Sequence, residues 1–370
     1  MSYRSLSLTP LASALLIALS SADTIHTTEG STIEDCTVLE ETLLEVTYRR
    51  DGGNKTSMPS SDVLRIDFTT MPTLVDRAET AVADDQLFDA VSDLTVYLDG
   101  ALNKIESGSR VRPAWAPAYA AWRLAELNAS MGKIEETLAA TNKLISKFTD
   151  SRYIPAALLL KAEVQFANGD GSAAKKTLEG VSQLVAEKGI SERWDFDAKI
   201  AAVMYDDSLS GDKRRDALKR IANQAGSKFA SVRNRAQAIG AETLLQEKDF
   251  DGAKAVFERV AKDPKSDQRT LAIAWSGLGD CLFEEGAKNP TSEASKATLN
   301  DALKAYMRVV VLHKGESNYV ARAMVYSGRI YMMMETEEAT ENANKLFGAV
   351  IRQFPGSKWE QEARGFARRR

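Results

Sequence analysis

Two rhythms of apolar and polar positions divide the chain. From about residue 71 onward, apolar residues return at three- and four-residue steps among Ala, Leu, Glu and Lys, which is the spacing of one buried helix face. Between about residues 23 and 70 the runs are shorter and richer in β-branched and aromatic residues. Ile25 and Thr27, Thr32-Ile33, Val38 and Leu39 ahead of the run Leu43, Leu44, Val46 and Tyr48, then Thr56 and Met58, and finally Val63 to Phe68 predict five short strands. Asp51-Gly52-Gly53 is a hairpin signal and Pro59-Ser60-Ser61-Asp62 a tight turn. Gly100 to Pro117 and Ala287 to Thr298 interrupt the helical rhythm and predict a linker and an inserted loop.

The helical part repeats. Pairs of helices start near residues 71, 118, 155, 198, 234, 272 and 321, and a last helix runs from about Ser357 to Arg370. Aligned on these starts, position 8 holds a small residue: Ala78, Ala125, Ala162, Ala241, Gly279 and Gly328. Position 20 holds Ala90, Thr137, Ala174, Ala217, Ala253, Ala302 and Ala343, and position 24 holds Leu94, Thr141, Leu178, Ile221, Phe257, Tyr306 and Phe347. A small residue facing a larger one lets two helices approach closely. In the fourth pair Tyr205 stands where the small residue belongs. One pair cannot bury its own apolar face, so neighbours must stack.

The sixth pair reads Trp275, Leu278-Gly279, Leu282, then Ala302, Tyr306 and Val309. This resembles the tetratricopeptide repeat, with Leu282 in place of the usual Tyr. The expected fold is therefore mainly α: a TPR-like α-solenoid of about seven helix pairs over residues 71–370, behind a small β-barrel-like domain over residues 23–70 of SH3-like or Sm-like type. The front unit resembles the short β-domains that precede helical repeats in some bacterial envelope proteins. It is expected either to dock or oligomerise, or to cover the open face of the first repeat.

Six acids fall at position 9: Glu79, Glu126, Glu163, Asp206, Glu242 and Asp280. The seventh pair has Arg329 there. Asp and Glu are 52 of 370 residues, so one position filled six times running is not a composition effect. The resemblance implies that positions 5, 9 and 12 line a concave groove that binds a protein or peptide. Position 5 supplies Val75, Trp122, Leu159, Ala202, Ala238, Ser276 and Val325; position 12 supplies Val82, Ala129, Phe166, Leu209, Leu245, Phe283 and Met332. The predicted partner-binding groove is thus apolar with an acidic line, built from Glu79, Trp122, Glu126, Leu159, Glu163, Phe166, Asp206, Glu242, Leu245, Asp280, Phe283 and Arg329. Carboxylates roughly 10 Å apart repel by only ~0.4 kcal/mol in a water-like dielectric. Two readings of the line stay open. Each acid pairs with a base on a neighbouring repeat, for which Lys199, Arg235 and Arg322 at position 2 are candidates, or the line meets a basic or amine-bearing segment of a partner.

Composition narrows the chemistry. The net charge of −4 argues against a nucleic-acid binder. Two histidines, His26 and His313, and two cysteines, Cys36 and Cys281, each pair far apart in sequence, leave no zinc-site spacing and little basis for His catalysis. His313 is read as a residue at a helix C-terminus, where its positive form would favour the dipole. No phosphate loop, metalloprotease helix or Cys-x-x-Cys motif occurs, so no cofactor or metal is expected. Arg4, the run Leu11 to Leu19 and Ser20-Ser21-Ala22 read as a secretory leader cleaved near Ala22. The run is too short to span a bilayer and no second one follows. The expected function is an exported, non-enzymatic scaffold working in the periplasm or another extracytoplasmic space. The alternative is an accessory structural subunit of an envelope assembly or secretion complex, anchored by the β-domain. An enzyme using groove carboxylates would need two of them about 5–10 Å apart.

Overall fold

The computed structural model describes residues 22–28, 30–50 and 52–367; the leader expected over residues 1–22 lies outside them, Ala22 excepted. Five strands come first: β1 Asp23–Thr27, β2 Thr32–Glu41, β3 Glu45–Arg50, β4 Lys55–Pro59 and β5 Val63–Asp67, with a 3-10 turn at Ser60–Asp62. They form one antiparallel sheet in the order β4-β3-β2-β1-β5. Among the described residues no pairing joins β4 to β5, and these two strands are the edges of the sheet. Gly52, at φ 69°, makes the turn between β3 and β4, where a side chain would be strained. Ile25, Cys36, Val38, Val46, Tyr48, Val63, Ile66 and Phe68 form the core of this unit. Leu43 and Leu44 do not extend a strand as expected. Thr42 turns the chain there by bonding Glu45 through its hydroxyl, and Leu43 leaves the sheet to pack on Ile154 and Ile190.

Fifteen helices follow: α1 Thr73–Ala83, α2 Leu87–Glu106, α3 Ala116–Ser130, α4 Ile134–Lys147, α5 Ile154–Ala167, α6 Gly171–Lys188, α7 Arg193–Met204, α8 Gly211–Ala225, α9 Ala230–Gln246, α10 Phe250–Lys262, α11 Gln268–Gly286, α12 Glu293–Leu312, α13 Ser317–Met333, α14 Glu337–Gln353 and α15 Lys358–Ala367. They make seven successive hairpins and a terminal helix. The expected linker is shorter than its Gly and Pro content implied, because α2 runs through Gly100 to Glu106. Half of the expected inserted loop is also helical. Ser292 accepts a bond from the Ser295 amide and starts α12 at Glu293. Asp170, Asp249, Asp267 and Thr336 cap α6, α10, α11 and α14 in the same way.

The expected key between helices of a hairpin is present. A methyl group on Gly279 would stand 2.6 Å from the Tyr306 ring, and one on Gly328 2.6 Å from the Phe347 ring. The seven residues at position 24 are all buried. Each helix packs on the next, and from α3 onward each odd helix also touches the following odd helix, whereas no even helix makes comparable contact with the next even one. The odd helices therefore form the tighter, inner layer, and the array curves towards them.

That curvature brings the ends together. Gln353, closing α14, donates to Asp85 in the α1–α2 turn at 3.0 Å, and a methyl on Gly132 in the α3–α4 turn would lie 3.0 Å from the Pro355 carbonyl oxygen. The β unit does not sit over the open face of the first hairpin. It is seated on the N-terminal ends of α3, α5 and α7. Phe68 stacks on Trp115 at 3.5 Å, buried Glu41 pairs with buried Arg152, and Arg193 reaches the Ser61 carbonyl at 3.5 Å.

Candidate functional site: the concave face

The inner face is built by the odd helices α1 to α13, and arginines stand among its acids. Glu79 accepts from the Tyr119 hydroxyl at 2.8 Å and from Arg123 Nε and Nη2 at 2.8 and 2.9 Å. Arg123 also donates to Glu126 at 2.9 Å. Burial pushes the Glu126 carboxyl above its usual range, against the pull of Arg123. Further along, one guanidinium serves two acids. Arg322 donates to Glu242 at 3.3 Å and to Asp280, while the Tyr306 hydroxyl donates to Asp280 at 2.7 Å. Desolvation raises the pKa of both carboxyls, and Arg322 only partly offsets it. Two acids thus converge on one place, but the guanidinium between them fills the space that an acid/base pair would leave for a substrate.

Glu163 is different. It is exposed, and Arg269 of α11 reaches it at 3.6 Å from three hairpins away. Arg269 also lies 3.9 Å from Glu316. The middle of the expected apolar groove with its acidic line is therefore crossed by a charge pair.

Asp206 is off the line. α7 ends at Met204, and Asp206 lies in the following turn, accepting from the Ser208 amide at 2.9 Å and its hydroxyl at 2.5 Å. Those bonds hold its carboxyl below the usual range. The candidate bases divide. Arg322 pairs with two ladder acids. Arg235 pairs with Asp197 and lies 3.7 Å from Asp267, neither of them on the ladder. Lys199 pairs within its own helix, with Asp195 at 2.7 Å. Arg329, the expected change of sign, lies over the rings of Phe283, Tyr326 and Phe366 at 4.6, 4.7 and 5.6 Å.

The apolar lining is thinner than expected. Position 5 is core in four hairpins, since Val75, Ala238, Ser276 and Val325 are fully buried. Phe283 is core as well. Trp122, stacked on Tyr153 at 6.1 Å, and Phe166, stacked on Tyr205 at 4.6 Å, stay half-buried, as do Leu159 and Leu245. Arg123 and Arg269 escaped the sequence reading. Arg123 had a detectable signal, three residues before Glu126 on one helix face. Arg269 had none, because its partner depends on how tightly the array curves.

Cys36 and Cys281 are buried and free, and burial pushes the Cys281 thiol up to about 12, far from the reactive thiolate. His313 caps the end of α12, but it is buried, with Nδ1 2.6 Å from the Gln268 carboxamide oxygen, and burial lowers its pKa. The neutral ring is favoured there, so the expected dipole role is replaced by a packing one. Among the described residues no group of His, Cys, Asp or Glu is arranged to hold a metal ion, and no helix is long and apolar enough to cross a membrane.

No protein-family model matches the chain, and no curated protein matches it in sequence. Solved structures similar to it include a tetratricopeptide repeat protein from Parabacteroides merdae, 14% identical, covering 79% of this chain and 96% of that one with a TM-score of 0.37. Another is the C-terminal part of a TPR repeat-containing protein from Cytophaga hutchinsonii, 11% identical, covering 78% and 98% with a TM-score of 0.33. With scores this low, the TPR-like architecture rests on the helix order and packing described above.

Proposed function

We propose that this chain is an exported, non-enzymatic scaffold that holds a protein or peptide partner along the inner face of its odd helices. Stacked hairpins present one extended surface that no single hairpin owns. The observation that carries the reading is the half-buried set Trp122, Leu159, Phe166 and Leu245, interleaved with the carboxylates of Glu126, Glu163 and Glu242. Such a surface suits an extended or helical segment with apolar anchors and Lys or Arg between them. Export rests on the leader over residues 1–22. The test is a crosslinking pull-down of the mature chain from its own compartment, then titration of the recovered partner. Glu163→Gln with Glu242→Gln should weaken binding and flatten its salt dependence; unchanged affinity and salt slope would end the groove reading.

A second reading has one observation in its favour. Leu39, Leu44 and Leu64 on the β unit are 45%, 53% and 52% exposed. They suit an anchoring surface of an accessory structural subunit in an envelope assembly or secretion complex. A stoichiometric, salt-resistant complex that is lost on Leu44→Gln and Leu64→Gln would favour it over the salt-sensitive groove.

A further inference from the structure

Each hairpin in a stack owes its place to its immediate neighbours, so contacts between distant hairpins are additional to the stacking. Two sets of contacts among the described residues bridge hairpins at least three apart. Inside the curve, Arg269 of the sixth hairpin meets Glu163 of the third at 3.6 Å and Glu316 of the seventh at 3.9 Å. At the seam, Gln353 bonds Asp85, and the loop carrying Pro355 touches the turn at Gly132. Both contacts are wet: Arg269 and Glu163 are 50% and 49% exposed, and the Gln353–Asp85 bond lies on the surface. The apolar packing takes no part. One cluster joins the first three hairpins and another the last two, and no cluster among the described residues includes the first and the seventh.

We propose that the array is a closed turn held by this internal charge latch and polar seam, and that releasing them opens the concave face. The logic is geometric. A small rotation at every hairpin interface adds up along the stack to a large displacement at the seam, while no hairpin loses its own core. Opening would also part Glu163 from Arg269, uncovering a carboxylate in the middle of the inner face, while Glu316 stays beside Arg269 in the adjacent hairpin. A cationic segment is the competitor best suited to keep the latch apart. Exposed ion pairs are screened by salt, so the closed form should yield to ionic strength alone.

The test needs no partner, so its outcome is independent of the scaffold reading. Spin labels at Glu135→Cys on α4 and Gln361→Cys on α15 flank the seam on exposed positions; the buried Cys36 and Cys281 are left in place. Pulsed dipolar spectroscopy and small-angle scattering then report the seam distance and the radius of gyration. A single short distance is expected at low salt, shifting to longer and broader distances in about 1 M salt, where the screening length is only ~3 Å. Glu163→Arg, which sets two guanidinium groups against each other, should open the seam even at low salt. Should Glu163→Arg lose helical circular dichroism, the salt titration of the unsubstituted latch decides alone. A seam distance unmoved by salt, or already long at low salt, overturns the proposal.

Discussion

The sixth and fourth hairpins were written on one template and solved differently. In the sixth, α11 is 19 residues long, Gly279 lies under the Tyr306 ring, and Asp280 is buried against Tyr306 and Arg322. In the fourth, α7 has 12 residues and ends at Met204. Asp206 then bonds its own backbone two residues on, an alternative to the helix that Asp offers readily. One hairpin spends its acid on tying itself to the next repeat, and the other spends it on a turn. An acid at the right place in a sequence pattern becomes structural only where the helix continues past it and a guanidinium meets it.

Removing that guanidinium is the sharpest way to break the comparison. Arg322→Ala removes the guanidinium paired with Asp280, 8% exposed, and Glu242, 19% exposed. Stranding a buried charge costs about 3–5 kcal/mol. Asp206→Ala removes only an exposed turn bond and should change stability by less than about 0.5 kcal/mol. Chemical denaturation followed by helical circular dichroism checks both. Equal effects would mean that Asp280 is no more structural than Asp206.

The small residue at position 8 gives a second, smaller contrast. Gly279→Val forces a branched side chain into the Tyr306 ring, and overpacking of this kind costs roughly 1–3 kcal/mol. In the fourth hairpin position 8 is Tyr205; the nearest small residue on the short α7, Ala202 at position 5, faces solvent, and Ala202→Val should stay within about 0.5 kcal/mol. Tyr306→Ala is itself costly, because the ring is fully buried and its hydroxyl bonds Asp280, but with the ring gone Gly279→Val should cost less than it does in the unsubstituted protein. Strict additivity in that double-mutant cycle would place the strain somewhere other than the ring.

These same residues show what the sequence made legible. The hairpins could be read because positions 8, 20 and 24 face one another within a hairpin, at separations set by helix geometry alone. Helix ends were less readable: Ser292 and the turn after Met204 act through side-chain bonds to the backbone, which local competition decides. The inner face was least readable. Whether Val75, Ala238, Ser276 and Val325 line a groove or fill a core depends on how closely odd helices pack, and whether Arg269 finds Glu163 depends on the summed rotation of three interfaces. No local pattern encodes a sum. The β unit illustrates the same limit. Its strands were apparent, but the seat on α3, α5 and α7 depends on the Glu41–Arg152 pair, 111 residues apart.

The smallest predicted effect concerns how the two hairpins end. α8 of the fourth stops at Gly226, at φ 55°, a backbone state that needs no side chain. α12 of the sixth stops at His313, buried and bonded to Gln268. Burial lowers the His313 pKa below its ordinary 6.5, so the unfolded chain takes up a proton first as the pH falls. Stability is then fully present above about pH 6.5 and is lost as the pH drops from there through the lower folded value. His313→Asn keeps a donor for Gln268 but cannot titrate. Between pH 7.5 and 5.5 the unsubstituted protein should lose more of its melting midpoint than His313→Asn does, by no more than about 2 °C. Matching losses would show that the end of α12 is as indifferent to protons as the end of α8, and that the sixth hairpin differs from the fourth only through its acid and its glycine.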